Sequence, residues 1–152
     1  MDFLSEKNVM LGQHANDRYE VLRAIANTAE SLGVTHNADA VYRSFLEREE
    51  MGATGMTDGF AIQHAKSEAI NTATVIVFKN DKKLSWPSFD DKPIDIAIAL
   101  LVPDGEAGTT HIKLLSKTAV LLMDDGFKEL VRDTNNAIGI ARVINKELEK
   151  SE

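Results

Sequence analysis

Cysteine is absent from the chain, which excludes disulfides, thiolate nucleophiles and cysteine-ligated zinc or iron–sulfur centres. No apolar run reaches the roughly 18 residues that a membrane-spanning helix requires. Basic residues are the minority: 17 Lys and Arg stand against 24 Asp and Glu, a formal charge of -7. That balance argues against a broad nucleic-acid footprint, which needs a concentrated basic surface, but it leaves room for a small local anion site. The opening Met1–Lys7 lacks a basic region followed by a long apolar one, so a signal peptide is not expected and the cytoplasm is the default location. No G-K-[ST] ending follows the glycines, which removes support for nucleotide hydrolysis. The four histidines form no tight ligand motif, so no metal and no cofactor are implied.

What is present is a 152-residue chain with 43% hydrophobic and 27% charged residues, the balance of one globular domain spanning 1–152. Residues 1 to 7 read as a loosely held start, and Asn8–Leu11 as a short strand. Asn16 or Asp17 can cap a helix from Arg18 to Leu32, where Val21, Leu22, Ile25, Ala29 and Leu32 recur at helical spacing. A second helix is expected over Ala38–Glu49, with Val41, Phe45 and Leu46 inward and Arg43, Glu47 and Glu50 wet. Residues 72 to 79 are rich in β-branched side chains and read as a strand, which Asn80–Lys83 should end in a turn, with a short edge segment at Leu84–Trp86. The run from Ile94 to Val102 is almost continuously apolar, as a central strand covered on both faces would be. Thr109 or Thr110 is placed to cap a helix beginning near His111, with Leu114, Leu115, Thr118, Leu121 and Leu122 inward. Two further helices are expected, at Phe127–Arg132 and Asn136–Glu149, the last with Glu147 turned to solvent. Helices alternating with apolar strands give an α/β fold.

The chemistry concentrates in one stretch. The second helix ends at Arg48-Glu49-Glu50, a loop with Gly52, Gly55 and Gly59 follows, and Phe60-Ala61-Ile62, read as a short strand, leads to His64. Glycines allow backbone angles that side chains forbid, and successive amides in such a loop can form an anion-binding concavity. Neutral imidazole is a nucleophile near physiological pH. Arg48 can hold phosphate by a bidentate fork or pair with Glu47 or Glu49. Thr54 can offer its hydroxyl or shape the loop. Glu49 and Glu50 repel phosphoryl oxygens and suit a helix surface or the orientation of an arginine. His111, at a helix start, is favoured as a neutral ring that can donate a hydrogen bond; a surface histidine is the plain alternative. His14 and His36 fall in polar connections. Trp86, Phe60 and Phe89 fit core or edge packing better than an interface.

The residues Arg48, Glu49, Gly52, Thr54, Gly55, Gly59, Ala61, Ile62 and His64 resemble, at matching spacing, the active-site signature of the enzyme IIA domains of the sugar phosphotransferase system, fructose/mannitol type. Gly108, His111, Ile112, Leu114 and Leu115 match the context of that family's second active-site histidine. The resemblance extends from about residue 8 to residue 148. It implies a single domain with a mixed β-sheet flanked by helices on both sides. It further implies a phosphotransferase component in which His64 accepts a phosphoryl group from the histidine phosphocarrier protein HPr. The group then passes to a cysteine of a separate enzyme IIB, with the membrane component IIC an indirect partner. His111 would assist, and Arg48 and Thr54 would bind the phosphoryl group or a partner. Regulatory members of the family supply the alternative, a protein whose phosphorylation state controls its interactions. Gln63 stands where the family usually has proline, and the loss of a fixed φ implies more freedom for the chain approaching His64.

Overall fold

The computed structural model describes residues 3–106 and 109–150, apart from the side chains of Glu106, Thr110 and His111. The strands are β1 (Val9–Gln13), β2 (Phe60–Ser67), β3 (Thr74–Leu84) and β4 (Ile94–Pro103). The helices are α1 (Arg18–Ser31), α2 (Ala38–Glu50), α3 (Thr109–Leu121), α4 (Asp125–Asp133) and α5 (Ala137–Glu149). The strands form one mixed sheet in the order β1-β3-β4-β2. β1 runs parallel to β3 and β2 parallel to β4, while β3 and β4 are antiparallel.

Strand alternation divides the interior into two cores. Ala61 and Ala65 of β2, Ile76 and Phe78 of β3, and Ala97, Ala99 and Leu101 of β4 pack with α1 and α2. The small alanines on this face let those two helices approach the sheet closely. The other face sets Phe60, Ile62, Val75, Val77, Ile96, Ile98, Leu100 and Val102 against α3, α4 and α5. The α/β class is as expected from the residues, and the mixed sheet with helices on both sides is as the resemblance implied. β4 is buried almost throughout because both faces are covered.

Four local expectations are corrected. Asn80–Lys83 does not end β3, which continues to Leu84 with a register irregularity. The buried Asn80 amide donates to Ala15 O at 3.1 Å and accepts from Ala15 N at 2.7 Å, taking over pairing where β1 leaves the sheet. Thr109 and Thr110 lie inside α3 rather than capping it, and the residue preceding Thr109 falls outside the described residues. Phe3 and Leu4, within the stretch expected to be loose, are tied down: Asn145 accepts from Phe3 N at 2.9 Å and donates to Leu4 O at 2.7 Å, while Leu4 is buried. Glu147 is half-buried and paired with Lys150 at 3.1 Å instead of facing solvent.

Helix α4 secures the entry to β2. Lys79 Nζ donates to the carbonyls of Val131 and Arg132, satisfying acceptors at the α4 carboxyl end. Arg132 bonds Asp95 Oδ2 and Asp58 O, each at 2.7 Å. Lys128 bonds Asp58 Oδ2 at 2.6 Å, and this hydrogen bond lowers the Asp58 carboxyl below its ordinary value. The tie therefore persists above the ordinary carboxylate pKa and is lost as pH falls through the lowered one.

Gly55 is needed for space. A Cβ there would lie 2.6 Å from both Pro87 O and Ser88 Cβ, in a place where Gly55 N donates to Pro87 O and Gly55 O accepts from Phe89 N. Gly55→Ala is expected to destabilise by about 1–3 kcal/mol through forced backbone displacement. Gly105→Ala, with nothing within 4 Å of the added carbon, is the matched control. It should stay within about 0.5 kcal/mol of the parent in denaturant unfolding.

Candidate functional site

The last turn of α2 and the edge strand β2 meet around His64. Gln63 shares strand parity with Ala61 and Ala65, so its side chain faces α2; His64 shares the face of Phe60 and Ile62, on the α3 side. Arg48 reaches the ring at the sheet edge, its Nε donating to His64 Nε2 at 3.0 Å. Arg48 Nη1 also bonds Gly52 O at 3.2 Å. A guanidinium only donates, so Nε2 carries the ring's lone pair and Nδ1 the proton of the neutral tautomer. The ring is half-buried at the strand edge, and its lone-pair nitrogen, held by a guanidinium, is chemically capable of nucleophilic attack once released.

Glu49, the neighbour of Arg48, turns inward. Its side chain is 3% exposed. Arg18 Nη1 bonds its Oε1 at 2.9 Å, while Thr54 Oγ1 and Gln63 Nε2 both donate to Oε2, at 2.6 and 2.5 Å. Trp86 Nε1 donates in turn to Thr54 Oγ1 at 2.7 Å. Gln63 Oε1 accepts from His64 N at 3.0 Å. The two ends of the glutamine amide are thereby assigned, since a carboxylate takes only donors and a main-chain N–H requires an acceptor.

These contacts revise the residue roles. Arg48 holds His64 and is not spent on Glu49, whose cation is Arg18 of α1. Glu49 is a buried centre of hydrogen bonding, not a helix-surface residue or the orienter of Arg48. Of the two openings for Thr54, loop shaping is the one its bonds serve: the hydroxyl proton goes to Glu49 and the oxygen accepts from Trp86. Gln63 does not loosen the approach to His64, being fully buried with both amide ends engaged. Four amides of the glycine loop are taken by protein acceptors. Gly52, Gly55 and Met56 donate to main-chain carbonyls, and Asp58 N donates to Asp90 Oδ2.

His111 lies in the first turn of α3, and its side chain is outside the described residues. Parallel pairing carries β2 and β4 to a common end, with Ser67 opposite Pro103, so α3 begins near the end of the sheet toward which His64 lies. Among the remaining candidates, His14 is exposed and bonds Asp81 at 2.6 Å, and His36 is exposed. Phe60 and Trp86 are buried, whereas Phe89 projects from the surface.

The family model for the phosphoenolpyruvate-dependent sugar phosphotransferase system, EIIA 2, matches residues 2–147. The chain belongs to this family. A nitrogen regulatory protein of Bradyrhizobium diazoefficiens is 29% identical over 143 residues, covering 94% of this chain and 92% of the relative. Nitrogen regulatory protein IIA-Ntr from Neisseria meningitidis has the same fold, with a TM-score of 0.86, 21% identity, and coverage of 93% and 96%. Mannitol enzyme IIA of Escherichia coli, solved in complex with phosphorylated mannitol enzyme IIB, superposes with a TM-score of 0.77, 17% identity, and coverage of 95% and 98%. Among the described residues of this EIIA chain, no helix is long and apolar enough to cross a membrane.

Thr54→Val keeps the side-chain volume but leaves the buried Trp86 N–H without its acceptor and removes a donor from Glu49. It is expected to cost about 1–3 kcal/mol. Denaturant unfolding followed through Trp86, the sole tryptophan, measures this, with a change in native-state emission as the accompanying signature.

Proposed function

We propose that this EIIA protein is a phosphohistidine carrier in which His64 Nε2 accepts a phosphoryl group from phospho-HPr. The observation that carries the proposal is the bond from Arg48 Nε to His64 Nε2 at 3.0 Å, within the matched signature. The Nε2 lone pair attacks phosphorus as the phosphorus–nitrogen bond to the donor imidazole breaks, its electron pair returning to the donor ring. His64 loses its Nδ1 proton and the donor ring takes one up, so charge is conserved. Arg48 must release the lone pair first. Anionic phosphoryl oxygens compete for the same guanidinium, which can then follow the transferred group and stabilise its charge. His111 is assigned the further donor, and Thr54 acts by shaping the loop.

Regulation is the use favoured for the phosphorylated state. The Bradyrhizobium relative, a nitrogen regulatory protein, aligns over nearly its whole length. Onward transfer to a cysteine of enzyme IIB for sugar uptake is the second reading, supported by the IIA–IIB complex built on the same fold. Purified partners separate the two. Acid-stable phosphocysteine on IIB indicates transfer, and its absence with phospho-His64 retained indicates a regulatory mark.

Incubation with enzyme I, HPr and phosphoenolpyruvate should place acid-labile phosphate on His64, and His64→Ala should abolish it while retaining the fold. Undiminished label in that variant, or label mapping to His14 or His36, overturns the acceptor assignment. His111→Ala should retain His64 as acceptor but slow transfer by on the order of 10²-fold in rapid-quench measurements. Wild-type rates to and from the partners would remove His111 from the machinery.

A further inference from the structure

We propose that Gln63 is a positioning residue for His64, holding the main chain of the acceptor through the buried Glu49 carboxylate while Arg48 holds its ring. The proposal rests on the reading of His64 as acceptor. Adjacent residues at the end of α2 thus grip the histidine at two points: Arg48 bonds Nε2 at 3.0 Å, and Glu49 bonds Gln63, which accepts from His64 N at 3.0 Å.

The geometry of an edge strand explains why the second grip is needed. β2 pairs with β4 on one side. Its amides alternate in direction, and Ile62 N points outward to Thr54 O at 3.1 Å. His64 N lies on the same outward side, away from the ladder, and the Gln63 carbonyl oxygen supplies its acceptor. The Gln63 main-chain N–H faces β4, where a proline would withdraw a donor. Proline at this position would fix φ but could provide neither side-chain bond. Glutamine therefore anchors the strand by hydrogen bonding to a carboxylate itself pinned by Arg18 and Thr54.

A displacement of about 1 Å at a reacting group can lower a rate by 10²-fold, so slack at the His64 main chain should appear in the chemical step. Simple interior filling by Gln63 would instead affect stability alone. Three variants distinguish these roles: Gln63→Met keeps length and removes both bonds, Gln63→Glu opposes Glu49, and Glu49→Gln with Gln63→Glu reverses the pair. Arg18, Arg48 and His64 are the other charged or titratable groups bonded to this cluster.

The experiment combines the His64 backbone 1H–15N resonance of the unphosphorylated protein with single-turnover phosphorylation at varied phospho-HPr. Gln63→Met should move that resonance and lower the maximal rate about 10-fold, with the half-saturating phospho-HPr concentration within about twofold of the parent. The reversed pair should recover part of both signals relative to Gln63→Glu alone. A wild-type resonance and maximal rate in Gln63→Met, a loss confined to half-saturation, or a reversed pair no better than Gln63→Glu overturns the proposal. If the wild-type protein takes no phosphate at His64, the acceptor reading fails. The resonance and its recovery then decide whether Gln63 holds the main chain.

Discussion

The buried carboxylate of Glu49 is the constraint on which the site depends. Stripping water from a carboxylate costs several kcal/mol unless charge and hydrogen bonds replace it. Here α1 supplies Arg18, the glycine loop supplies Thr54 and β2 supplies Gln63. The loop can deliver Thr54 only by passing close to Pro87 and Ser88, which is why Gly55 has no room for a Cβ. That passage also brings the Trp86 indole to Thr54. With Glu49 committed inward, the adjacent Arg48 is carried to the sheet edge and meets His64. One desolvated charge thereby links the strand that carries His64 to α1 and to the glycine loop.

The arrangement suits phosphoryl transfer between proteins. An edge-strand histidine is reachable by a partner's reactive group, whereas one inside a four-stranded sheet would not be. Its lone pair rests on a guanidinium rather than on a fixed backbone donor, so the group occupying it can also receive incoming negative charge. On the proposed reading, regulation and onward transfer make the same demand on this centre and differ only in what reads or removes the phosphate.

Much of the fold was legible because periodicity reports burial. The apolar spacing of α1 and α2 and the unbroken run of β4 follow from faces that must be covered, and of the two caps open to α1, Asn16 or Asp17, the structure uses Asp17. Asn80–Lys83 misled because polar residues normally mark a turn. Here β3 continues, and the Asn80 side chain substitutes for ladder bonds that only the fold reveals. The meeting of Arg48 with His64 was legible from a matched signature. The hydrogen bonding around Glu49 was not, since Arg18 lies 31 residues away and composition carries no trace of that pairing. One signal was available: Gln63 shares parity with the inward Ala61 and Ala65, and a buried amide on a core face needs partners of its own.

On the proposed reading, Arg48 marks the nitrogen that takes the phosphoryl group. Phosphorylation of 15N-histidine-labelled protein with enzyme I, HPr and phosphoenolpyruvate, followed by 31P–15N coupling measurements, tests it directly. A single phosphohistidine is expected, at His64, with phosphorus coupled directly to Nε2. Phosphorus bonded to Nδ1, or to the ring of any other histidine, would contradict it.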